Sequence, residues 1–229
     1  CTLTLQCYGT GSCYEMFYIP NKLSKVIVTG NSNLYYAFYG CSNIKEIVLR
    51  DVSYIGAKSF YNCSGLTNLA LPESLTTIES YAFMGCSSLK KMEIPNGVES
   101  IGEGCLLGCI NLEELVVPYV GTAKNPQSPS KNTLLGTLFG TNQCDGCIET
   151  EQRFRSGSNS EALVRFYIPE KLSKVTVTGN SNLYYTFSNC GNIKEINIRN
   201  VSFIGERTFY GCSGLTNLNL PETLTTLGD

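Results

Sequence analysis

Histidine and tryptophan are both absent from this chain of 229 residues. Without an imidazole group the chain cannot carry Ser–His–Asp or Cys–His catalysis, or a zinc site with a histidine ligand. No apolar run reaches the roughly 18 residues that a membrane-spanning helix requires. Lysine and arginine number 17 against 19 aspartate and glutamate, with no basic cluster, so we expect neither nucleic-acid binding nor membrane insertion.

The acidic residues are scattered along the chain, and no glycine-rich phosphate-binding loop occurs. Calcium coordination, paired-carboxylate catalysis and nucleotide binding each need one of those arrangements. We therefore predict no enzymatic activity, no metal and no cofactor.

The chain does contain a short repeated phrase. Apolar residues in the pattern L-x-x-L-x-L occur eight times, with Ile, Val or Met replacing Leu at some positions. The eight anchors are Leu23, Ile44, Leu66, Leu89, Leu112, Leu172, Ile193 and Leu215. They are spaced 21, 22, 23 and 23 residues apart and then, after a gap of 60, 21 and 22 residues apart. A period of about 20–29 residues with this pattern is the signature of leucine-rich repeats, and unrelated strands of one globular domain would have no reason to share it.

The alternation of apolar residues within each phrase predicts a short strand with one buried face. One such strand cannot bury that face alone, whereas stacked strands form a parallel sheet over a continuous core. The sequence therefore predicts a right-handed leucine-rich-repeat solenoid. It has a parallel β-sheet on one face and consists mostly of strands, turns and loops, with little helix.

The repeats are themselves duplicated. Residues 17–78 align with residues 166–227 at an offset of 149 without gaps, and 45 of the 62 aligned positions are identical. We predict an irregular cysteine-containing segment (1–16), a first module of repeats (17–118), an irregular insert (119–165) and a second module (166–229) in the same solenoid. Neither end shows the polar cap that solenoids need, so we expect a fragment of a longer array.

One position of the repeated strand changes between the modules while its neighbours do not. The stretches 63–73 and 212–222 are identical except that Ala70 becomes Asn219, at the outward position between two inward leucines. The complete outward column is Ile27, Val48, Ala70, Glu93, Val116, Thr176, Asn197 and Asn219. An exposed column on a solenoid sheet is a candidate binding face, although drift at exposed positions would produce the same pattern.

Residues 82–89 (AFMGCSSL), followed by Ile94-Pro95 and by Val98-x-x-Ile101-Gly102, resemble the phrase of BspA-like leucine-rich repeats. This resemblance implies the solenoid fold and an extracellular or cell-surface protein with a non-enzymatic binding or adhesion role. The partner that it implies is a host or neighbouring-cell protein or glycan. A structural spacer or self-assembling array without a dedicated ligand is the alternative.

Half of the 12 cysteines occupy one repeat position. These six are Cys41, Cys63, Cys86, Cys109, Cys190 and Cys212. Their apolar neighbours predict buried thiols that act as small hydrophobic side chains, rather than reactive or metal-binding thiols.

Cys144 and Cys147 form the one C-x-x-C pair of the sequence. In an extracellular protein we predict disulfides that staple the irregular segments, with Cys144–Cys147 and Cys7–Cys13 as candidate pairs. The sequence does not fix the pairing. A zinc site made by the same four thiolates, or a redox-active pair, stays open as an alternative.

Overall fold

The structure, a computed structural model, describes residues 2–6, 22–30, 33–156, 160–179 and 181–228. Within these ranges it contains 16 β-strands and two short 3-10 helices, Lys131–Thr133 and Leu135–Leu138. The strands are β1 (Thr2–Gln6), β2 (Lys25–Thr29), β3 (Glu46–Arg50), β4 (Tyr54–Ile55), β5 (Asn68–Ala70), β6 (Thr77–Ile78), β7 (Lys91–Glu93), β8 (Ser100–Ile101), β9 (Glu114–Val117), β10 (Cys147–Ser156), β11 (Ser160–Pro169), β12 (Lys174–Val177), β13 (Glu195–Ile198), β14 (Phe203–Ile204), β15 (Asn217–Asn219) and β16 (Thr226–Leu227).

Nine of these strands form the repeated face of a parallel β-solenoid. β1, β2, β3 and β5 make one sheet, and β7, β9, β12, β13 and β15 make a second, with every neighbouring pair parallel. Burial alternates along the strands as the L-x-L pattern predicts: Val26 and Val28 of β2 are buried and Ile27 between them is not. The solenoid has about nine turns and almost no helix, so the predicted leucine-rich-repeat architecture is confirmed.

The sheet is interrupted at one place. β5 and β7 carry consecutive repeats, but no ladder hydrogen bond joins these two described strands. Leu69 of β5 is only half-buried, whereas the equivalent Ile47 and Met92 are buried. The backbone stays paired on the opposite side of the solenoid, where Phe60 N donates to Ala82 O at 2.8 Å. The solenoid is therefore open on its sheet side and continuous on the other.

The return limbs, which lead from one sheet strand to the next, supply the other wall of the core. Short strands pair there, β4 with β6 with β8, and β14 with β16. The rings of Phe38, Phe60 and Phe83 stack in successive turns, with centroids 5.3 Å apart and interplanar angles of 4° and 2°. All three side chains are fully buried, so this aromatic column closes the core on the return side.

The repeated cysteines lie beside the aromatic column. Cys63 Sγ donates to the backbone carbonyl of Phe38 at 3.0 Å, and Cys86 Sγ donates to that of Phe60 at 3.2 Å. Burial raises the pKa of both thiols well above the usual range. Four of the six column thiols are buried: Cys63, Cys86, Cys109 and Cys190. The other two, Cys41 and Cys212, are half-buried. The column thiols therefore act as packing groups.

Alkylation of the native protein is expected to be slow and strongly pH dependent. Burial raises the pKa of Cys41 and of Cys212 to about 11, so their reactive thiolates are scarce at pH 8 and become more abundant as the pH rises toward that value. We expect these two thiols to react first and the fully buried thiols to react only on unfolding. Mass spectrometry of iodoacetamide adducts against time at several pH values measures this order. A column thiol that reacts within seconds at neutral pH would contradict it.

The insert leaves the second sheet unbroken, because β9 pairs directly with β12. The 3-10 helix Leu135–Leu138 continues the stack of return limbs: Gly104 N donates to Thr137 O, and Leu135 N donates to Thr186 O, both at 2.9 Å. The antiparallel hairpin β10–β11, which is not predicted from the sequence, begins within the insert and ends at Pro169. The boundaries of the four predicted segments stay a prediction.

Candidate binding face

The outward column lies on the sheet face, opposite the core. In the first sheet, Ile27 pairs with Val48 and Val48 pairs with Ala70. In the second sheet the order of pairing is Glu93, Val116, Thr176, Asn197 and Asn219. The interruption between β5 and β7 separates Ala70 from Glu93. The structure therefore divides the predicted column into two rows. The first row lies on the first sheet (Ile27, Val48 and Ala70), and the second row lies on the second sheet (Glu93, Val116, Thr176, Asn197 and Asn219).

The second row lines a concave surface. One cavity, of about 430 Å³, is lined by all five second-row residues together with charged side chains of the neighbouring column. Another, of about 550 Å³, lies over the interruption and is lined by Ala70, Glu93 and Val116 among others. We call these two the sheet-face cavities. Ile27 and Val48 line neither of them, so the structure does not bring the whole column into one site.

Exposure along the column differs most from the prediction at Thr176, while Ile27, Val48, Val116 and Asn197 are half-buried. An outward Thr176 is expected to be exposed, but only 3% of its surface is accessible. It lies on the central strand of the second sheet, between Val116 and Asn197, and these two half-buried neighbours cover its short side chain. Ala70, Glu93 and Asn219 are exposed, as predicted. Thr176 therefore shapes the floor of the surface but contributes little contact area.

The neighbouring outward column carries ion pairs between adjacent strands. Lys25 Nζ lies 2.7 Å from Glu46 Oε1 in the first sheet, and Lys174 Nζ lies 3.2 Å from Glu195 Oε1 in the second. These side chains are about one-third exposed, so the pairs contribute little stability. These ion pairs instead place positive and negative side chains at fixed positions beside the outward column.

Asparagine gives the second row a hydrogen-bonded ladder. Asn219 Nδ2 donates to Asn197 Oδ1 at 2.5 Å, and Asn197 Nδ2 donates to Glu195 Oε1 at 2.7 Å. The hydrogen bond from Asn197, and then the one from Lys174, lower the pKa of Glu195. The corresponding first-row residues are apolar. The change between the modules therefore replaces the apolar residues Ile27, Val48 and Ala70 by polar ones, Thr176, Asn197 and Asn219.

A disulfide joins Cys144 and Cys147, whose Cα atoms lie 5.5 Å apart at the start of β10. Cys7 and Cys13 lie outside the described residues, so the second candidate disulfide and the four-thiolate zinc site stay predictions. Among the described residues, no group of three or more His, Cys, Asp or Glu side chains is placed to hold a metal ion. No helix in those ranges has the length and hydropathy to cross a bilayer.

Sequence reasoning missed the hairpin β10–β11, which packs on the return limbs of the second module. Its anchor is Gln152, which is fully buried. The Gln152 Nε2 group donates to Thr186 O at 3.2 Å and to Ser188 O at 3.1 Å. Its Oε1 accepts from Gly136 N at 2.7 Å. The alternation of apolar residues at 162, 164, 166 and 168 is the sequence signal that marks the second strand.

The stacked parallel strands, the repeated core positions and the exposed sheet face define a leucine-rich-repeat protein. The family model described as "BspA type Leucine rich repeat region" matches residues 14–126 and 180–229, in six copies. These ranges make up more than half of the chain, so the chain belongs to the BspA-type leucine-rich-repeat family. No curated protein sequence matches the chain.

Solved structures of bacterial leucine-rich-repeat proteins are similar to the chain at low identity. A leucine rich repeat protein of T. pallidum is 20% identical, over 99% of this chain and 78% of its own, with a TM-score of 0.40. A leucine rich cell surface protein of Faecalibacterium prausnitzii A2-165 is 21% identical, over 90% of this chain and 63% of its own, with a TM-score of 0.42. A leucine-rich repeat protein of Bacteroides ovatus ATCC 8483 is 20% identical, over 99% and 83%, with a TM-score of 0.29.

Proposed function

We propose that the protein is a non-enzymatic binding module of a cell-surface or secreted protein, and that its sheet face contacts a partner protein. The family supports the surface setting, and the Cys144–Cys147 disulfide fits an oxidising compartment. The observation that carries the proposal is the pair of sheet-face cavities. The smaller of the two is lined by Thr176, Asn197 and Asn219, the residues that changed between the modules, and ligands are commonly bound on concave surfaces.

The lining of these cavities favours a polypeptide over a glycan. Neither is lined by an aromatic side chain, and glycan sites commonly stack sugar rings on aromatic rings. Both are lined by charges of both signs, among them Lys91, Glu93 and Arg199. Arg199 is exposed and forms no ion pair with a described residue, so it can meet a carboxylate of the partner. Charges arranged in this way steer association and give specificity.

Val116→Glu is expected to weaken binding at least about tenfold. The partner is first found in a screen of extracellular-matrix and epithelial surface proteins. Val116 lines both sheet-face cavities and is half-buried on the outward side, so the variant adds a charge to the site without entering the core. Val48→Glu is the matched control, because it makes the same change in the same column outside both cavities. We expect it to change the affinity less than about twofold. Surface plasmon resonance measures both variants, and thermal denaturation verifies that they fold.

The outcomes separate the alternatives. Equal losses in Val116→Glu and Val48→Glu would contradict a site at the cavities, since both rows would then belong to the contact surface. A glycan included in the screen that binds at Val116 would overturn the assignment to a polypeptide. If soluble, folded protein binds no partner, the proposal fails, and concentration-dependent association in light scattering would then favour a self-assembling array.

A further inference from the structure

A third cavity lies away from the sheet face, between the hairpin β10–β11 and the return limbs of the second module. Its volume is about 340 Å³, and we call it the hairpin cavity. Its lining residues are Arg153, Glu161, Tyr185, Ser188, Asn189, Arg207 and Tyr210. The first two belong to the hairpin and the rest to the return limbs, so the cavity exists only where the hairpin docks. A space of this size fits one small polar ligand.

One hydroxyl group in this lining, Ser188 Oγ, has no hydrogen-bond partner among the described residues. Tyr185 is fully buried, and Ser188 is 2% exposed. Burial and, second, the interaction of its hydroxyl with the carboxylate of Glu206 raise the pKa of Tyr185, so Glu206 is the partner of this hydroxyl. Because buried polar groups are almost always hydrogen-bonded, the Ser188 hydroxyl needs a partner that the described residues do not supply.

The charged groups around the cavity leave an excess of positive charge. Arg153 Nη1 lies 3.6 Å from Glu161 Oε2, and Arg207 pairs with the other oxygen of the same carboxylate. Glu206 is shared in the same way, 3.2 Å from Arg155 and 3.8 Å from Arg207. The lining itself therefore contains two guanidinium groups and one carboxylate. The unbalanced charge favours an anionic ligand, and guanidinium groups match the geometry of a carboxylate.

Tyr210 supplies an aromatic wall. Its side chain is 61% exposed, and the guanidinium carbon of Arg207 lies 5.8 Å from the ring centroid. A tyrosine ring beside polar groups offers an apolar face together with a solvated hydroxyl group. The apolar C–H groups of a pyranose ring can pack on such a face while its hydroxyls reach the polar groups.

The first module serves as an internal comparison, because the same positions have different residues there. Tyr39 stands at the position of Ser188, and Tyr61 stands at the position of Tyr210. The rings of Tyr39 and Tyr61 stack with centroids 4.6 Å apart and an interplanar angle of 2°. Tyr39 therefore fills the space that serine leaves empty in the second module. The exchange of tyrosine for serine is thus specific to the module that forms the cavity.

We propose that the hairpin cavity binds a sugar residue that carries a carboxylate, such as a hexuronic acid. The sugar ring packs on Tyr210, and one of its hydroxyls pairs with Ser188. Its carboxylate forms ion pairs with the guanidinium groups of Arg153 and Arg207. This site shares no lining residue with the sheet-face cavities, so the inference does not rest on the function proposed for that face.

Saturation-transfer difference NMR on the intact chain tests the proposal. The probes are methyl glucuronoside, methyl galacturonoside and N-acetylneuraminic acid, with methyl glucoside and methyl galactoside as neutral counterparts. We expect saturation transfer to at least one acidic sugar, with binding at least about tenfold weaker for the neutral sugars. Ser188→Tyr installs the residue of the first module and is expected to abolish the signal. Arg153→Gln is expected to remove the preference for the acidic sugar.

Tyr39→Ser is the matched control, because it makes the reverse exchange in the first module and should leave the signal unchanged. If Ser188→Tyr fails to fold, Arg153→Gln decides the matter, since Arg153 is exposed and its replacement spares the packing. Val116→Glu should retain sugar binding, which distinguishes failure here from failure of the sheet-face proposal. The proposal is overturned by the absence of transfer to every acidic sugar, by equal binding of the neutral sugars, or by an unchanged signal in both cavity variants.

Discussion

Phe83→Ala is expected to lower the free energy of unfolding by about 3–5 kcal/mol. Phe83 is fully buried, and its ring stacks 5.3 Å from that of Phe60 in the aromatic column. The space that it leaves cannot collapse readily, because hydrogen bonds such as Phe83 N to Cys105 O, at 2.9 Å, hold the return limbs at a fixed separation. Urea denaturation followed by circular dichroism measures the loss.

Phe209→Ala is the matched control for this prediction. It removes the same side chain from the second module, where Phe209 is half-buried and its ring lies 6.0 Å from that of Phe187. Because less apolar surface is lost from the core there, we expect about half the destabilisation or less. Equal losses in the two variants would show that burial in the aromatic column does not determine the stability of the repeats.

Gln152→Ala is expected to cost about 2–4 kcal/mol and to release the hairpin β10–β11 from the return limbs. The change leaves Gly136 N without its acceptor and Ser188 O without its amide donor, whereas Thr186 O keeps its hydrogen bond from Leu135 N; buried groups are costly to leave unpaired. Hydrogen–deuterium exchange should become faster in β10 and β11, while β2, β3 and β13 stay protected. The hairpin cavity should be lost together with the docked hairpin.

Arg155→Gln provides the comparison within the same hairpin. Arg155 is exposed and pairs with Glu206 at 3.2 Å, so we expect its replacement to cost less than about 1 kcal/mol and to leave hydrogen exchange unchanged. A hairpin that stays protected in Gln152→Ala, or one that is released in Arg155→Gln, would show that Gln152 is not the anchor.

The repeated part of the fold could be predicted from the sequence because each turn repeats the same short pattern of apolar residues. The spacing of the anchors places the strands, and inward residues such as Val26 and Leu115 are buried as the alternation requires. Stacking neighbouring turns then determines the parallel sheet without any further long-range information. The outward column follows from the same alternation.

The hairpin and its cavity could not be predicted, because they depend on contacts between distant residues. A glutamine such as Gln152 is usually exposed, and nothing in its local sequence shows that it becomes a buried anchor. The pairing of Arg207 with Glu161 joins residues 46 positions apart. The burial of Thr176 and the interruption between β5 and β7 have the same origin, since both depend on how whole strands sit beside one another.

That interruption leaves the two stretches of sheet without a direct connection on the sheet side. Opening or closing the gap between β5 and β7 breaks no ladder hydrogen bond on the sheet side, whereas bonds such as Phe60 N to Ala82 O hold the return side together. Along the line of the gap, the described residues of the two parts of the solenoid are therefore hydrogen-bonded on the return side only. The larger sheet-face cavity lies along that line, so no ladder hydrogen bond between β5 and β7 fixes its width.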